Sequence, residues 1–489
     1  MSPQQPAQAL NQGPIINSVQ SRAENMAEVI RSQKSAFDQE RFVGYQARMA
    51  NLKKLYKLID ENSQELADAL NSDFGCRSQQ ESELAEIIGS LSSIRYLMKN
   101  LKRFMKPQGR STSIWFMPGK AQVTLQPLGV IGVMAPWNYS LHLTIAPMAA
   151  ALAAGNRIMA KMSELTPTTA ITLKRLIKKT FNEDTVAIFD GGVEVSQQFS
   201  NLPFDHLLFT GSTSVGKIIA QAAAKNLTPV TLELSGKSPV VIGKNYNIEE
   251  AAKRIMWGKS FNAGQTCVAP DYVLLPKDKL IEFTRAARAA VTGYFPNGID
   301  NGDYSSIINQ NHCERVQGLI DDAKEQGVNV LELAPKAETN NKIPPTLVLE
   351  PNENCRIFNE EIFGPVLPVF TYENLDDALQ QINHHRDPLA LYVFSSVSDE
   401  VEYVTRHVRA GSVAVNDTLL QYIQNDLPFG GVGNSGLGKY HGIEGFQTFS
   451  SKQARFTQRG IGNFTSIKLL YPPYTGFSRF MMKLIRFMP

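Results

Sequence analysis

Four cysteines are spread along the chain, and only Cys267 lies where a thiol has reactive surroundings. It ends the segment FNAGQTC (residues 261–267), in which glycine and small polar residues crowd the sulfur ahead of the strand-like DYVLL. A thiol becomes a good nucleophile when its pKa falls or a base stands near. Cys76, Cys313 and Cys355 lack such surroundings, which favours ordinary buried thiols. No paired spacing supports zinc or a disulfide framework, so we expect no metal site.

Two further side chains could assist a nucleophile. Glu233 interrupts the otherwise apolar strand pattern VTLELSGKSP (230–239). Because an unpaired buried charge is costly, this carboxylate is either paired structurally or functional. Burial would raise its pKa toward neutrality, which suits a general base. Asn138, in VMAPWNYS, is either a turn residue or a donor to a developing oxyanion. Both alternatives stay open for each residue.

A candidate phosphate-binding turn lies in DHLLFTGSTSVGK (205–217), where an apolar strand runs into Gly211, Ser212 and Gly216 before a helix. Such a turn lets backbone N–H groups at a helix N-terminus face a phosphate. An ordinary strand-to-helix turn has the same sequence. Without the full dinucleotide fingerprint, the motif alone does not decide between them.

A second glycine pattern matches the dinucleotide-binding fingerprint but lacks the sequence context of one. Gly431, Gly433 and Gly436 match G-x-G-x-x-G, yet they follow Pro428 and Phe429 rather than a strand. No acidic residue follows about 20 positions on, as a dinucleotide fold requires. A glycine-rich connection is the better interpretation.

The spacing of apolar residues predicts the helices and strands that must position these side chains. With 489 residues and 43% hydrophobic side chains, the chain predicts a globular protein of two or more large domains. Apolar positions at helical spacing predict helices from Ser21 to Leu101. From Pro127, short apolar runs alternate with helical segments, and after Leu234 a second such series begins. This pattern predicts an α/β fold with parallel sheets.

Charge and termini exclude some functions. The net charge of +3 is spread along the chain, so we expect no nucleic-acid partner. The first residues lack a secretory pattern and no apolar run reaches about 18 residues, which favours a cytoplasmic protein. Residues 477–489 (FSRFMMKLIRFMP) form a short basic amphipathic stretch. Docking on a partner subunit or on the chain's own core is favoured, and weak peripheral membrane contact is the alternative.

Seven segments, in this order, resemble the aldehyde dehydrogenase superfamily: GVIGVMAPWNYS, AKMSE, FTGSTSVGK, LELSGKSP, FNAGQTCVAPDY, NEEIFGPVLP and LPFGGVGNSG. The sequences of the GQTC and LPFGG segments most resemble the class 3, fatty-aldehyde and coniferyl-aldehyde dehydrogenase branch. The resemblance implies oxidation of an aldehyde to a carboxylic acid with NAD or NADP. Both aromatic aldehydes, such as coniferyl aldehyde, and medium- or long-chain aliphatic aldehydes remain open.

The resemblance also implies roles for individual residues. Cys267 would be the nucleophile, Glu233 the base that activates water, and Asn138 an oxyanion donor beside the Cys267 N–H. CoA-acylating relatives typically lack this glutamate, so the expected product is the free acid. The implied cofactor contacts are Trp137, Lys161, Glu164, Gly211, Ser212, Gly216, Glu361 and Phe363. Met162 stands in AKMSE where the family usually has proline, which leaves the choice between NAD and NADP open.

The implied architecture is a Rossmann-like parallel-sheet cofactor domain, an α/β catalytic domain and a small β arm that joins subunits, which suggests a homodimer. The expected division is a flexible tail (1–20), the cofactor domain with its N-terminal helices (21–112 and 127–234), the catalytic domain (235–430), the arm (113–126 and 450–470) and the amphipathic tail (471–489).

Overall fold

Amphipathic helices occupy most of residues 14–104, as the three- and four-residue spacing of apolar side chains predicts. The computed structural model describes residues 14–113, 116–337, 341–459 and 471–487. The first helices are α1 (Pro14–Gln39), α2 (Tyr45–Glu61), α3 (Ser63–Phe74), α4 (Gln79–Glu81) and α5 (Gly89–Phe104), with a π-helical turn (Ser82–Ile88) before α5. Because α1 begins at Pro14, residues 14–20 of the expected tail are helical, and residues 1–13 lie outside the described residues.

Strands and helices then alternate as the apolar runs predict. The strands are β1 (Gln108–Arg110), β2 (Lys120–Pro127), β3 (Val130–Met134), β4 (Arg157–Lys161), β5 (Val186–Phe189), β6 (His206–Gly211), β7 (Val230–Leu234), β8 (Pro239–Ile242), β9 (Tyr272–Pro276), β10 (Asn329–Glu332), β11 (Thr346–Leu349), β12 (Val366–Tyr372), β13 (Ala390–Phe394), β14 (Ser412–Val415), β15 (Gly436–Leu437) and β16 (Ser450–Thr457). The helices among them are α6 (His142–Ala154), α7 (Pro167–Thr180), α8 (Val193–Ser200), α9 (Thr213–Ala224), α10 (Ile248–Ser260), α11 (Leu280–Tyr294), α12 (Gln310–Glu325), α13 (Arg356–Asn359), α14 (Leu375–His385), α15 (Ser398–His407), α16 (Gly442–Thr448) and α17 (Gly476–Phe487).

The first sheet is doubly wound, in the strand order β15-β7-β6-β3-β4-β5. Strands β3 to β7 are parallel, and β15 adds an antiparallel edge. The chain leaves β3 toward β4 and β5, then crosses back to β6 and β7, so the order reverses between β3 and β6. Ligands of open α/β sheets bind outside the carboxyl ends of the strands at such a point.

The second sheet has the strand order β10-β11-β12-β9-β8-β13-β14. It is parallel except for β10, which pairs antiparallel with β11. Its central strands β8, β9 and β13 are buried, as parallel strands covered on both faces must be. The α/β fold class is therefore confirmed in both units.

A third, antiparallel sheet joins β1, β2 and β16. Eight register pairs run between β2 and β16, from Ser450 opposite Pro127 to Thr457 opposite Lys120. The strands of the expected arm thus lie together, although β1 comes from the range assigned to the cofactor domain. Residues 114–115 and 460–470 of that arm lie outside the described residues.

The C-terminal stretch forms helix α17, as its spacing predicts. Phe477 and Phe480 on this helix are 56% and 58% exposed. Residues 488–489 of the expected tail lie outside the described part of the chain. Among the described helices, none combines the length and the apolar character that crossing a membrane requires.

Candidate active site

A cavity of about 600 Å³ lies where the carboxyl ends of β3, β6 and β7 face the second unit. Eight of the eleven expected site residues line it: Trp137, Asn138, Gly211, Ser212, Glu233, Cys267, Glu361 and Phe363. Lys161, Glu164 and Gly216 are not among its lining residues. The fold thus brings the thiol, the carboxylate and the amide of the sequence analysis to one space, at the reversal point of the first sheet.

The loop that carries Cys267 begins with a left-handed turn after α10. Asn262, Ala263 and Gly264 have φ values of 50°, 49° and 72°. Such a run is unusual for residues with a Cβ and is retained only where the surroundings impose it. A Cβ at Gly264 would lie 2.3 Å from the Gly364 carbonyl oxygen, so only glycine allows this close approach.

Buried hydrogen bonds fix this loop against the loop after β3. The Asn138 side-chain amide donates to the Gln265 carbonyl (3.2 Å), and the Asn262 amide donates to the Asn138 carbonyl (3.1 Å). The Gln265 amide donates to the Ser306 carbonyl (3.0 Å), while its oxygen accepts from the Ile308 N–H (2.9 Å). The position of the thiol relative to Asn138 is therefore set by direct contacts.

The Cys267 thiol is half-buried, and its pKa is not lowered. Burial is the largest cause and the carboxyls of Glu361 and Glu233 add to it, and together they raise the pKa to about 12. The thiol is therefore protonated at neutral pH. Of the two routes to a reactive sulfur, a lowered pKa does not apply, and a nearby base that takes the proton remains.

Glu233 is 3% exposed, and neither carboxylate oxygen has a hydrogen-bond partner among the described residues. Burial raises its pKa well above the ordinary value, offset in part by the charge of Lys439. The glycine-rich connection packs against it, since a Cβ at Gly430 would lie 2.9 Å from Glu233 Oε1. Gly436 lies opposite Glu233 in the β15–β7 pairing, so the connection flanks this carboxyl.

The segment after α13 is held to the second sheet by a buried ion pair. Lys237 Nζ lies 2.5 Å from Asp271 Oδ2 and donates to the Glu360 carbonyl (2.8 Å). Asp271 also accepts from the Ile362 N–H (3.1 Å), and Arg315 donates to the Ile362 carbonyl (2.7 Å). Breaking a buried pair leaves an uncompensated charge, so this arrangement holds the segment firmly.

Glu361 and Phe363 project from that segment into the cavity. Burial raises the pKa of Glu361 to about 7, and hydrogen bonds from Ser235 and the Gly236 N–H oppose the rise. The Phe363 ring meets the Trp137 ring edge-on, with 5.3 Å between centroids. An acidic group and two aromatic rings therefore share this end of the cavity.

The turn between β6 and α9 has the features of a helix N-terminus open to an anion. Ser212 is the N-cap, and its Oγ accepts from the Val215 N–H at 3.4 Å. A Cβ at Gly216 would lie 2.4 Å from Leu234 Cδ2, so this glycine lets α9 pack closely on β7. The N–H groups in the first turn of a helix have no partner within the helix and favour an anion.

Lys161 and Glu164 lie at the end of β4, outside the cavity. Lys161 is buried, its amine lies 3.4 Å from Glu164 Oε2, and burial lowers its pKa. Met162 between them is buried, and its N–H donates to the Phe189 carbonyl (3.0 Å). Proline at this position would lack that bond.

Several lining residues were not expected from the sequence. The His312 ring packs against the Trp137 ring at a tilt of 48°, with 4.9 Å between centroids, and Arg315 lies one turn further along α12. Nothing in an amphipathic helix marks two of its polar residues as part of a site. Phe429 and Tyr440 also line the cavity, and both flank the glycine-rich connection quoted for the resemblance.

Within the described ranges, no group of three or more His, Cys, Asp or Glu side chains has the arrangement to hold a metal ion.

A doubly wound sheet with a cavity at its reversal point is typical of a dinucleotide-dependent enzyme, and this cavity is lined by a thiol and the carboxyls of Glu233 and Glu361. Residues 5–454 match the aldehyde dehydrogenase family, and the chain belongs to this family. It is an aldehyde dehydrogenase, and the family uses NAD or NADP to oxidise aldehydes.

Relatives cover nearly the whole chain. A probable coniferyl aldehyde dehydrogenase of Pseudomonas aeruginosa is 49% identical over 87% of this chain and 89% of its own length. The coniferyl aldehyde dehydrogenase of a Pseudomonas species is 40% identical over 91% and 94%. Among solved structures, the substrate-bound state of Staphylococcus aureus AldH superimposes with a TM-score of 0.88 at 35% identity, covering 94% of this chain and 99% of that one.

Proposed function

We propose that the chain oxidises an aldehyde to the free carboxylic acid through a thioester on Cys267, with Glu233 as the general base. The observation that carries this proposal is that Cys267, Glu233 and Asn138 line one cavity. Each group has the chemistry that one step needs: a nucleophile, a proton acceptor and an oxyanion donor.

The first step is addition of the sulfur to the aldehyde carbon. A new C–S bond forms, the carbonyl π electrons move to oxygen, and the thiol proton leaves to a base. Because the Cys267 pKa is about 12, this proton must be taken up during the attack. Water in the cavity takes this proton to bulk solvent, so Glu233 stays unprotonated for the hydrolysis step. The oxyanion is stabilised by the Asn138 amide and the Cys267 N–H, and one such donor is worth about 3–4 kcal/mol.

The second step returns the carbonyl. The oxyanion collapses and the former aldehyde hydrogen departs with its electron pair, which leaves a thioester on Cys267. The bound nicotinamide supplies the hydride acceptor for this step. Glu233 then takes a proton from water, whose oxygen attacks the thioester carbon. The C–S bond breaks, the sulfur regains a proton, and the acid leaves.

The residues present fit a dinucleotide. The α9 N-terminus beside Gly211 and Ser212 suits a pyrophosphate. Lys161 and Glu164 would hold the adenosine ribose, and Glu361 with Phe363 would hold the nicotinamide ribose. Three apolar side chains in α8 and in the first half of α9 are exposed and would contact the adenine: Val193, Val215 and Ile218. Gly216 contributes through helix packing rather than direct contact.

The substrate is proposed to be an aromatic aldehyde of the coniferyl type, with medium- or long-chain aliphatic aldehydes as the alternative. Coniferyl aldehyde dehydrogenases are among the relatives with 40% or more identity. Phe429 and Tyr440 line the cavity, and the rings of Tyr422 and His441 pack behind them at centroid distances of 4.7 Å and 4.8 Å. Aromatic surroundings favour a planar aromatic guest.

A homodimer is proposed through the third sheet. Strand β16 is at its edge, and residues 451–456 of that strand are exposed in the single chain. Exposed sheet edges are natural sites for pairing with another chain. Sedimentation equilibrium tests this, and a monomer at micromolar concentration would contradict it.

Helix α17 is proposed to dock on protein, with weak contact to a membrane surface as the alternative. Its exposed Phe477 and Phe480 suit docking on a partner subunit, and its basic residues suit an anionic surface. Co-sedimentation with anionic vesicles, for the intact chain and for a chain ending at residue 476, separates the two. Equal sedimentation of both chains rules out the membrane alternative.

The nucleophile is tested by Cys267→Ala, with Cys313→Ala as the matched control because Cys313 is another half-buried thiol. With an aldehyde and NAD or NADP, Cys267→Ala should form no NAD(P)H, followed at 340 nm. Cys313→Ala should retain activity. Undiminished turnover by a folded Cys267→Ala protein overturns the proposal.

A further inference from the structure

One acidic segment among the N-terminal helices contacts both the loop that contains Cys267 and the loop that contains Asn138. It comprises the end of α4 and the π-helical turn that follows. Glu81 Oε2 accepts from the Asn262 N–H (3.1 Å), at the start of the left-handed turn before Cys267. Five residues on, Glu86 Oε2 accepts from the N–H groups of the loop after Asn138. Inserted π-helical turns are often found at functional sites.

The contacts of Glu86 cap the start of α6. Its carboxylate accepts from the Leu141 N–H (3.0 Å) and the His142 N–H (2.7 Å). A carboxylate at a helix N-terminus satisfies free N–H groups and the helix dipole. Arg77 pairs with Glu86 at 3.0 Å, and both side chains are fully buried. The Arg77 guanidinium also lies over the Tyr139 ring, 5.2 Å from its centroid.

The contacts of Glu81 bind the nucleophile loop to a second segment. Glu81 Oε2 also accepts from the Ser305 hydroxyl (2.7 Å). Ser305 precedes Ser306, whose carbonyl accepts from the Gln265 amide (3.0 Å). The carboxyl of Glu81 thus holds both ends of a hydrogen-bonded unit that contains Gln265, two residues before Cys267.

We infer that Glu81 is a positioning residue for the nucleophile: it sets the left-handed turn at Asn262 and thereby places Cys267 against Asn138. The inference rests on the proposed roles of Cys267 and Asn138. Glu81 does not line the cavity, so it acts through the loop and not on the substrate. Glu86, on the same segment, holds the loop that follows Asn138. The two carboxyls thus hold the Cys267 loop and the Asn138 loop to one segment.

The rate of the chemical step depends on the geometry at the reacting centre. A misplacement of about 1 Å can lower the rate of a chemical step about 100-fold. Burial raises the pKa of Glu81 to about 7, so the carboxyl is charged above that pH. There, Glu81→Gln keeps the shape and one acceptor oxygen but removes the charge, so hydrogen bonds to the N–H and the hydroxyl weaken. The loop should then sample other positions while the cavity and its cofactor contacts stay in place.

The test compares Glu81→Gln with Glu83→Gln, an exposed carboxyl on the same π-helical turn. The rate constant of the NADH burst is measured per active site, with sites titrated by burst amplitude, alongside the Kd for NADH. The inference expects a fall of about 10- to 100-fold in the burst rate constant for Glu81→Gln, with the NADH Kd unchanged. Glu83→Gln should match the parent protein.

A residue with a purely structural role would lower the melting temperature and the fraction of active sites, but not the burst rate constant per site. That outcome overturns the inference. Ser305→Ala is the second variant, because it removes one donor to Glu81 and leaves the carboxylate and its hydrogen bond from the Asn262 N–H in place. It should also lower the burst rate constant, and with Glu81→Gln its effect should be less than additive. Additive or absent effects contradict the inference.

Failure of the proposed function looks different. In that case the parent protein and Glu83→Gln would themselves show no burst and no thioester on Cys267. If only the inference fails, the parent protein, Glu83→Gln and Glu81→Gln all give the same burst.

Discussion

Asn138 donates its side-chain amide to the Gln265 carbonyl, 3.2 Å away and two residues before Cys267. This bond ties the loop after β3 to the nucleophile loop of the other unit. An amide has two N–H groups, and the second is available to an oxyanion in the cavity. Under the proposed mechanism, the same side chain helps to place the sulfur and stabilises the charge on the substrate oxygen.

We expect Asn138→Ala to slow the NADH burst about 100- to 1,000-fold, as loss of one oxyanion donor does elsewhere. The Kd for NADH should change little, because the cofactor contacts come from other elements. Stopped-flow absorbance at 340 nm and NADH fluorescence titration provide the two measurements. A normal burst rate would remove Asn138 from its proposed role.

Glu233→Gln should separate the two halves of the reaction. An amide cannot take a proton from water, so deacylation should slow at least about 100-fold while hydride transfer still gives a burst. The expected trace is one equivalent of NADH per site followed by almost no turnover. Equal losses in the burst and in the steady state would contradict a role in hydrolysis.

The steady-state kcat is expected to rise with pH. Burial raises the pKa of Glu233, so the carboxyl is largely protonated at low pH and becomes a base as pH rises. The steady-state kcat should therefore increase with pH, and Glu233→Gln should lose this increase. A parent kcat that falls as pH rises would oppose the assignment.

Much of this site follows from residue types and their order. The alternation of apolar runs with helical segments predicts the two parallel sheets, and RIMAKM becomes β4 (Arg157–Lys161). Parallel strands end at one edge, so motifs after β3, β6 and β7 had to meet there. Asn138, Gly211 and Glu233 follow these strands or lie in their last residues.

The rest depends on contacts between distant segments. The pKa of Cys267 is raised by burial and by Glu361, which lies far along the chain, and no local pattern at the cysteine indicates this direction. His312 and Arg315 come from an amphipathic helix whose exposed and cavity-facing polar residues look alike. Similarly, the antiparallel return of β15 beside Glu233 requires the tertiary fold.

The raised pKa of Cys267 predicts how the free thiol is alkylated. Burial is its first cause and Glu361 the second, so Glu361→Gln should lower the pKa and increase the thiolate fraction. At pH 9, iodoacetamide should modify this variant roughly threefold faster or more than the parent protein. Mass spectrometry of the peptide that contains Cys267 gives the rate.

The matched control for alkylation is Glu360→Gln. Glu360 also lines the cavity, but its carboxylate pairs with Arg356 at 2.9 Å. Its removal should leave the alkylation rate of Cys267 unchanged. If both variants react alike, general net charge and not the position of Glu361 governs the thiol.

Met162→Pro tests the departure from the family pattern. Met162 is buried and its N–H donates to the Phe189 carbonyl (3.0 Å), so proline would leave that carbonyl unpaired. We expect the free energy of unfolding to fall by about 1 kcal/mol, measured by urea denaturation. Met162→Leu keeps the N–H and a similar volume, and serves as the control.

Because Lys161 and Glu164 flank this backbone, the NADP-to-NAD ratio of kcat/KM should shift in Met162→Pro and not in Met162→Leu. Identical ratios in the two variants would show that this backbone position has no part in cofactor choice.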